Sequence, residues 1–400
     1  MKTIFVLVSI FLSLPSLAQV DVQKTINETL ASKWYEKLNV RGYAHFRYNR
    51  SLESNKDFRT PYDRSVGDKQ SFFFRRARLV IFGEVTDRVF VYIQPDYSQD
   101  ATQAIAGGQA VNQQNYLQMR DAYFDYALTE DKEFRLRVGL TKVPFGWENM
   151  QSSANRAPLD RSDAMNSAAP NERDTGVFLL YAPTEIRALY KEMTANSLKG
   201  TGDYGMINIG AYNGQTMNRP EENNDLYRVV RLNYPMKLKS GQFIEASLQA
   251  YEGKFNELGP VVDKDYYDAR QGASLVYYPQ PIGIQAEYNI GTGAGYDQTE
   301  GRIRNQKLKG GYVMVSYQHL AKTDRYFPFV RFQEYNGGKK FESGTPMARV
   351  REWEFGAEWQ PNPAFELTAA YAIANRHNEQ ASGKYNERGE LLRLQMQFNY

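Results

Sequence analysis

The sequence has no cysteine and only three histidines in 400 residues. Disulfides and thiolate metal sites are therefore excluded. The histidines, His45, His319 and His377, offer no catalytic pattern. Ser316 and His319 are three apart in a stretch of period two, so a strand sends them to opposite faces. His377 falls in a predicted loop with no nucleophile beside it, and the HExxH zinc spacing is absent. The glycine-rich piece at 291–295 also falls in a predicted loop, not between a strand and a helix as a nucleotide site needs. The residues point away from an enzyme, and no cofactor or metal is expected.

Long apolar runs are missing too. Only Ile4 to Leu14 is nearly continuous, preceded by Lys2 and followed by Pro15, Ser16, Leu17 and Ala18. A basic start, a short apolar stretch and a small-x-small end predict a signal peptide over 1–18, cleaved after Ala18. Elsewhere no run approaches the roughly 18 apolar residues of a membrane helix, and the mean hydropathy is −0.62. Neither charge sign dominates: 49 Lys and Arg stand against 46 Asp and Glu. A near-neutral chain gives no electrostatic reason to expect a nucleic-acid partner.

What the chain has in quantity is aromatic residues, 29 Tyr and 22 Phe, and alternation. In the last stretch, Leu392, Leu394, Met396, Phe398 and Tyr400 share one parity, and Arg393, Gln395, Gln397 and Asn399 the other. A strand turns these into one apolar and one polar face. Such a strand, ending on an aromatic residue, suits a barrel that closes its last strand onto its first in an outer membrane. Residues 19–38 read first as a short amphipathic helix, with Val22, Ile26, Leu30, Trp34 and Leu38 every fourth residue. Period two then runs over 39–400 in about 16 segments. Tight connections at 86–87, 129–132, 236–241, 279–281, 321–324 and 360–363 alternate with long polar ones at 51–69, 98–115, 143–172, 214–224, 253–266, 292–306, 336–348 and 376–387. Short inner turns and long outer loops are the habit of outer-membrane barrels. One connection, 183–203, is long where a tight turn is expected, and 185–195 reads as a helix. The expected fold is an all-β, antiparallel transmembrane barrel of about 16 strands in a Gram-negative outer membrane, surrounded by lipid.

Charge placement sets the faces. Lys or Arg at a lipid-facing midplane costs roughly 2–4 kcal/mol, so the charged parity faces inward. Arg41, Arg47, Arg135 and Arg137 project inward on the early strands; Glu245, Glu287, Glu352, Glu354 and Glu358 do so on the later ones. In 73–81, the parity Phe73, Arg75, Ala77, Leu79, Ile81 is read as lipid-facing. Arg76 and Arg78 then face water, and Arg75 needs an interface or a bulge. Inward arginines favour anions, or they balance the inward glutamates.

The pieces Arg75-Arg76-Ala77-Arg78-Leu79, Asp121 to Tyr126, Lys142-Val143-Pro144-Phe145-Gly146 with Glu148, and Arg173-Asp174-Thr175-Gly176, in this order, resemble the phosphate-selective porin O/P family. The resemblance implies a trimeric barrel whose third outer loop, 143–172, folds inward as a constriction. It implies that Arg75 and Arg76 stand at positions of an arginine ladder, Lys142 at the constriction, and Arg156 and Arg161 on the inward loop. Arg75, Arg76 and Arg78 would attract an anion such as phosphate, and Lys142, Arg156 and Arg161 would bind it. The later Glu-rich strands depart from the phosphate-binding members. The function expected is passive diffusion of small hydrophilic solutes through a homotrimeric porin, with an anion preference. The alternative is a closed barrel that binds a surface ligand or partner through its outer loops.

Overall fold

The structure is a computed structural model, and it describes residues 33–54, 70–99, 104–106, 109–111, 115–256, 265–340, 342 and 344–400. The signal peptide and most of the expected amphipathic helix lie outside these residues; a short 3-10 turn, Trp34–Lys37, precedes the first strand.

The strands are β1 Leu38–Ser54, β2 Ser71–Glu84, β3 Val89–Gln99, β4 Asn115–Ala127, β5 Phe134–Lys142, β6 Arg173–Tyr181, β7 Ile207–Tyr212, β8 Tyr227–Lys237, β9 Phe243–Asn256, β10 Asp265–Tyr277, β11 Ile282–Asp297, β12 Arg302–Tyr317, β13 Asp324–Gly338, β14 Met347–Asn362, β15 Phe365–Gln380 and β16 Gly383–Asn399. A three-residue segment, His319–Ala321, continues β12 past Gln318, and both pieces pair with β13. Counted so, the sheet has the expected sixteen strands, all antiparallel. It closes where β1 meets β16, paired from Tyr43 opposite Asn399 to Ser54 opposite Gly389 with one register shift between Ser51 and Glu53. Gly42 and Tyr400 exchange both backbone hydrogen bonds, at 2.6 and 3.0 Å. No edge remains open along this seam.

Side chains alternate as the sequence reading requires. On β16, Phe398 is 47% exposed and faces out, while Arg393, Gln395 and Gln397 are buried inside. All five glutamates expected inward are buried there. Arg41 shares the inward parity of Tyr43 and His45 but is exposed near the start of β1, 5.0 Å above the Phe82 ring. The face assigned to 73–81 needs a larger correction. His45 pairs with Arg76 and Phe46 with Phe74, so Arg75 is the extra residue of a β-bulge. The bulge flips the parity. Ala77, Leu79 and Ile81 face out, Phe73 turns inward, and Arg75 is spared the lipid. A second bulge does the same on β4: Gln94 pairs with Asp121 and Pro95 with Met119, which leaves Arg120 extra. Arg120 and Asp121 are both buried inside.

The connections keep the short and long alternation, with two corrections. β11 and β12 extend through much of 292–306, leaving only 298–301 between them, and β15 and β16 meet in the turn 381–382. Antiparallel pairing continues from Asn289–Gly310 out to Asp297–Arg302, so backbone hydrogen bonding extends past the apolar alternation that marked the strand ends. The anomalous connection does contain a helix, Thr184–Ala195, here α3. Two shorter helices, α1 Trp147–Met150 and α2 Asp163–Ala168, belong to 143–172.

Candidate functional site

Segment 143–172 leaves the wall at the end of β5 and folds into the lumen. Pro144 cannot extend the ladder. Gly146 takes φ +85°, a conformation that disfavours a side chain, and a Cβ there would lie 3.1 Å from the Glu287 carboxylate. Glu287, on β11, accepts the backbone N–H groups of Trp147 (2.6 Å) and Glu148 (3.0 Å) at the start of α1. These donors have no partner inside the helix. Val143, Phe145, Ala168 and Ala169 pack on Phe178, Tyr212, Tyr227 and Tyr251 of the wall. Alternation alone did not reveal this apolar lumen patch.

From that patch the segment reaches the opposite wall. Asp160 pairs with Arg47 of β1 (2.8 Å), Arg393 of β16 (2.8 Å) and, more loosely, Arg75 of β2 (3.8 Å). Burial alone would raise the Asp160 carboxyl, but Arg47, Arg75 and Arg393 hold it well below the usual carboxylate range. Glu148 takes Arg331 of β13 at 3.0 Å and the Ser162 hydroxyl and N–H at 2.9 Å. Asp163 pairs with Lys339 (3.0 Å) and Arg376 (3.4 Å). Burial opposes ionisation of Asp163, and Arg376 and Lys339 outweigh it, leaving its pKa at about 2. The lumen is therefore crossed by a segment tied to both sides.

The residues singled out from sequence divide into two groups. Arg78 is paired with Asp96 at 3.2 Å and donates to Tyr43 at 2.7 Å. Arg161 meets Glu172 at 2.9 Å and Asn149 at 2.8 Å. Lys142 is buried at the last position of β5, and its Nζ donates to the carbonyls of Met150 and Gln151, both at 2.9 Å. Its parity was lipid-facing, but the strand ends there and the ammonium caps the C-terminal end of α1. These three residues, with Arg75, hold the constriction together. Arg76 and Arg156 differ. Both are buried, and among the described residues neither has a carboxylate within salt-bridge distance. Arg156 donates only to the carbonyls of Pro158 (3.2 Å) and Leu159 (3.3 Å), and its Nη1 has no partner. Arg76 makes no hydrogen bond among the described residues, and its charged neighbours include Arg75, Arg78 and Arg156. The two are brought together on one wall of the constriction.

Sequence reasoning missed Arg120, whose inward place depends on the second bulge. It also missed the support beneath the constriction. Ile186, Tyr190 and Met193 of α3 form one apolar cluster with Trp147, Phe243 and Tyr278. Gln151 donates to the Lys199 carbonyl at 2.5 Å, and Lys199 is 2.7 Å from Glu358. The helical pattern at 185–195 was visible; its contact with Trp147 was not. Among the described residues no group of His, Asp and Glu has the makings of a metal site.

Solved porin structures share this architecture. The chain aligns over 91% of its length with 97% of OmpF from Salmonella typhi, solved in complex with daunomycin, at 12% identity and a TM-score of 0.56. It aligns over 91% with 99% of an anion-selective porin from Comamonas acidovorans, at 9% identity and TM-score 0.52. The trimer form of OmpT from Vibrio cholerae aligns at 9% identity and TM-score 0.50, covering 91% of this chain and 99% of that one. At such identities the likeness is one of fold. No curated protein sequence matches the chain. The family model for phosphate-selective porins O and P matches residues 46–260 and 255–400, which is nearly the whole barrel. With that match, the sixteen-stranded closure and the inward segment, the chain belongs to the phosphate-selective porin O and P family and is a channel-type barrel of the Gram-negative outer membrane.

Proposed function

We propose that this channel passes small hydrophilic solutes by diffusion and prefers anions, phosphate among them. The observation that carries the reading is the pair Arg76 and Arg156. A buried guanidinium without a counter-ion is costly, and an oxyanion that brings its own charge and acceptors relieves that cost. The arginines around them each have a carboxylate within salt-bridge distance: Arg47, Arg75 and Arg393 share Asp160, Arg393 also has Glu354, and Arg78 has Asp96. Of the proposed set, Lys142 has its ammonium taken up by two carbonyls, which leaves Arg76 and Arg156 as the arginines without a carboxylate to meet a passing anion. The family's name and the anion-selective neighbour support the same preference. The proposal includes cleavage of residues 1–18 and assembly as a homotrimer, a form described for the Vibrio cholerae neighbour.

A second reading is a barrel that does not conduct and works through its outer loops. It is favoured by the segment 143–172, which is anchored on both sides of the lumen. Single-channel recording in a salt gradient separates the two. The porin reading expects conductance, with a reversal potential on the anion side and current reduced by added phosphate. A cation-side potential defeats the anion preference, and a silent bilayer with correctly closed protein favours the second reading.

A further inference from the structure

The outside of the barrel is not uniform near its long-loop end. On β12, Leu308 and Tyr312 are buried inside while Lys307 and Lys309 are exposed, so both lysines point outward. On β14, Ala348 and Val350 are buried and Arg349 and Arg351 are exposed, so both arginines point outward as well. Lys309 and Arg349 both pair with Asn336 of the intervening β13, which puts them at one level. Strands lie about 4.8 Å apart, so the two cations stand about 10 Å apart across one patch. Among the described residues none of the four has a salt bridge. The carboxylates nearby are Glu334, across from Arg351, and Glu379, already engaged by His377 and Lys384.

Directly below this row the same face is apolar. Val313, Trp353 and Phe355 are 49%, 48% and 42% exposed, and the Phe332 and Trp353 rings are in contact at 4.9 Å. The corresponding outward ends of β2 and β4 carry Phe72, Phe74, Leu117 and Met119, with no cation among them. Cations also face outward at this rim on β1 (Arg50), β8 (Arg228) and β9 (Lys254), the last two paired with Glu252 at 3.6 Å and Asp225 at 3.0 Å. The face of β12–β14 is distinguished by four cations set together with no salt bridge among the described residues. A surface that is apolar up to a fixed level and cationic just above it matches an amphiphile with acyl chains and an anionic headgroup. At the long-loop end of an outer-membrane barrel, that level is the outer-leaflet headgroup region.

We propose that this outward face of β12–β14 binds a phosphate-bearing glycolipid of the outer leaflet. Its phosphates sit against Lys307, Lys309, Arg349 and Arg351, and its chains lie on the aromatic band below. The site is separate from the lumen and stands whether or not the channel prefers anions.

The test uses the full barrel in detergent, offered phosphorylated lipid A or its dephosphorylated counterpart, with bound lipid read by native mass spectrometry. The wild type is expected to retain the phosphorylated lipid about tenfold better, and the combined Lys307→Gln, Lys309→Gln, Arg349→Gln, Arg351→Gln variant to lose that advantage. The pair Lys307→Arg and Lys309→Arg keeps the charge and should keep the lipid. Single-channel selectivity of the quadruple variant should equal that of the wild type, because none of the four faces the lumen. Equal retention of the two lipids by the wild type overturns the proposal. So does undiminished retention by the quadruple variant, or loss of lipid in the charge-preserving pair. Displacement of bound lipid by millimolar inorganic phosphate would reassign the patch to free anions and overturn the lipid commitment.

Discussion

Asp160, in the segment that crosses the lumen, lies 2.8 Å from Arg393 on the strand that closes the barrel. Arg393 in turn reaches Glu354 at 3.1 Å, and Glu354 holds Arg331 at 2.6 Å. Arg331 returns to the segment through Glu148. The constriction is thus held by a chain of charges in which wall arginines alternate with carboxylates of wall and segment. Most inward arginines here serve position.

Asp160→Asn follows from that arrangement. The amide keeps the size but removes the charge shared by Arg47, Arg75 and Arg393. Losing one partner of a buried pair costs about 3–5 kcal/mol, so the segment should loosen. Arg47 and Arg75 lose their carboxylate while Arg393 keeps Glu354, and the two released guanidinium groups should also strengthen anion preference. Reversal potentials at two ionic strengths measure the second effect and thermal unfolding the first. A weaker anion preference in this variant would contradict the arrangement.

Arg76→Ala and Lys142→Glu should behave differently. Arg76 holds nothing in place, so its removal should leave assembly intact while reducing anion preference and any block by phosphate. Lys142 caps the carbonyls of Met150 and Gln151. A carboxylate there would face those carbonyls with no proton to give. Lys142→Glu should therefore disturb the placement of the segment and lower assembly yield, more than it reverses selectivity in a well-formed channel. Comparing yield with reversal potential separates the two roles.

The barrel was legible because its signal is local. Alternation along Ile282 to Ile290 or Trp353 to Trp359 is written in consecutive residues, and tight turns carry their own chemistry. The site was less legible because it depends on single insertions and distant partners. Nothing in Phe72 to Arg78 marks Arg75 as the bulge; the sequence says only that a lipid-facing arginine is costly. Whether Arg78 is free or neutralised rests on Asp96 in the next strand. Lys142 was found by its place before Pro144 and Gly146, but its partners are carbonyls, and backbone carbonyls leave no trace in a sequence.

Acid should begin to loosen the crossing segment within a narrow range. Asp163 titrates near 3.8 when free and at about 2 in the folded protein. A depressed carboxylate stabilises the fold above its unfolded pKa, and this contribution is lost as pH falls through the folded one. The contribution is roughly 2 kcal/mol for such a shift. Asp160 and Glu172 are depressed as well, for Glu172 against burial and through Arg161, Arg173 and Lys142. Asp163's share of the anchoring should be constant from neutral pH to about pH 4 and fade between about pH 4 and 2. The shares of Asp160 and Glu172, which are held well below the ordinary carboxylate range, should outlast it. Conductance noise or proteolysis at 151–159 across that range would report it; loosening that began at pH 6 would point to other groups.

The seam gives the last expectation. A Cβ on Gly42 would stand 2.5 Å from the Arg78 carbonyl and 2.3 Å from the Tyr400 ring. The ring is the far end of a flexible side chain and can swing away, but the carbonyl belongs to the β1–β2 ladder and cannot. Gly42→Ala should therefore prevent normal closure, and adding Tyr400→Ala should rescue it only slightly. Phe398→Ala with Tyr400→Ala but with Gly42 kept removes outward apolar surface and leaves the backbone exchange possible, so it should slow assembly without changing the conductance of the barrels that form. Closure is read from heat-modifiable migration in dodecyl sulfate, since a sheet with no open edge resists the detergent until boiled. Full heat-modifiability in Gly42→Ala would mean that β1 and β16 can meet in another register, and that the contact between Gly42 and Tyr400 does not set the seam.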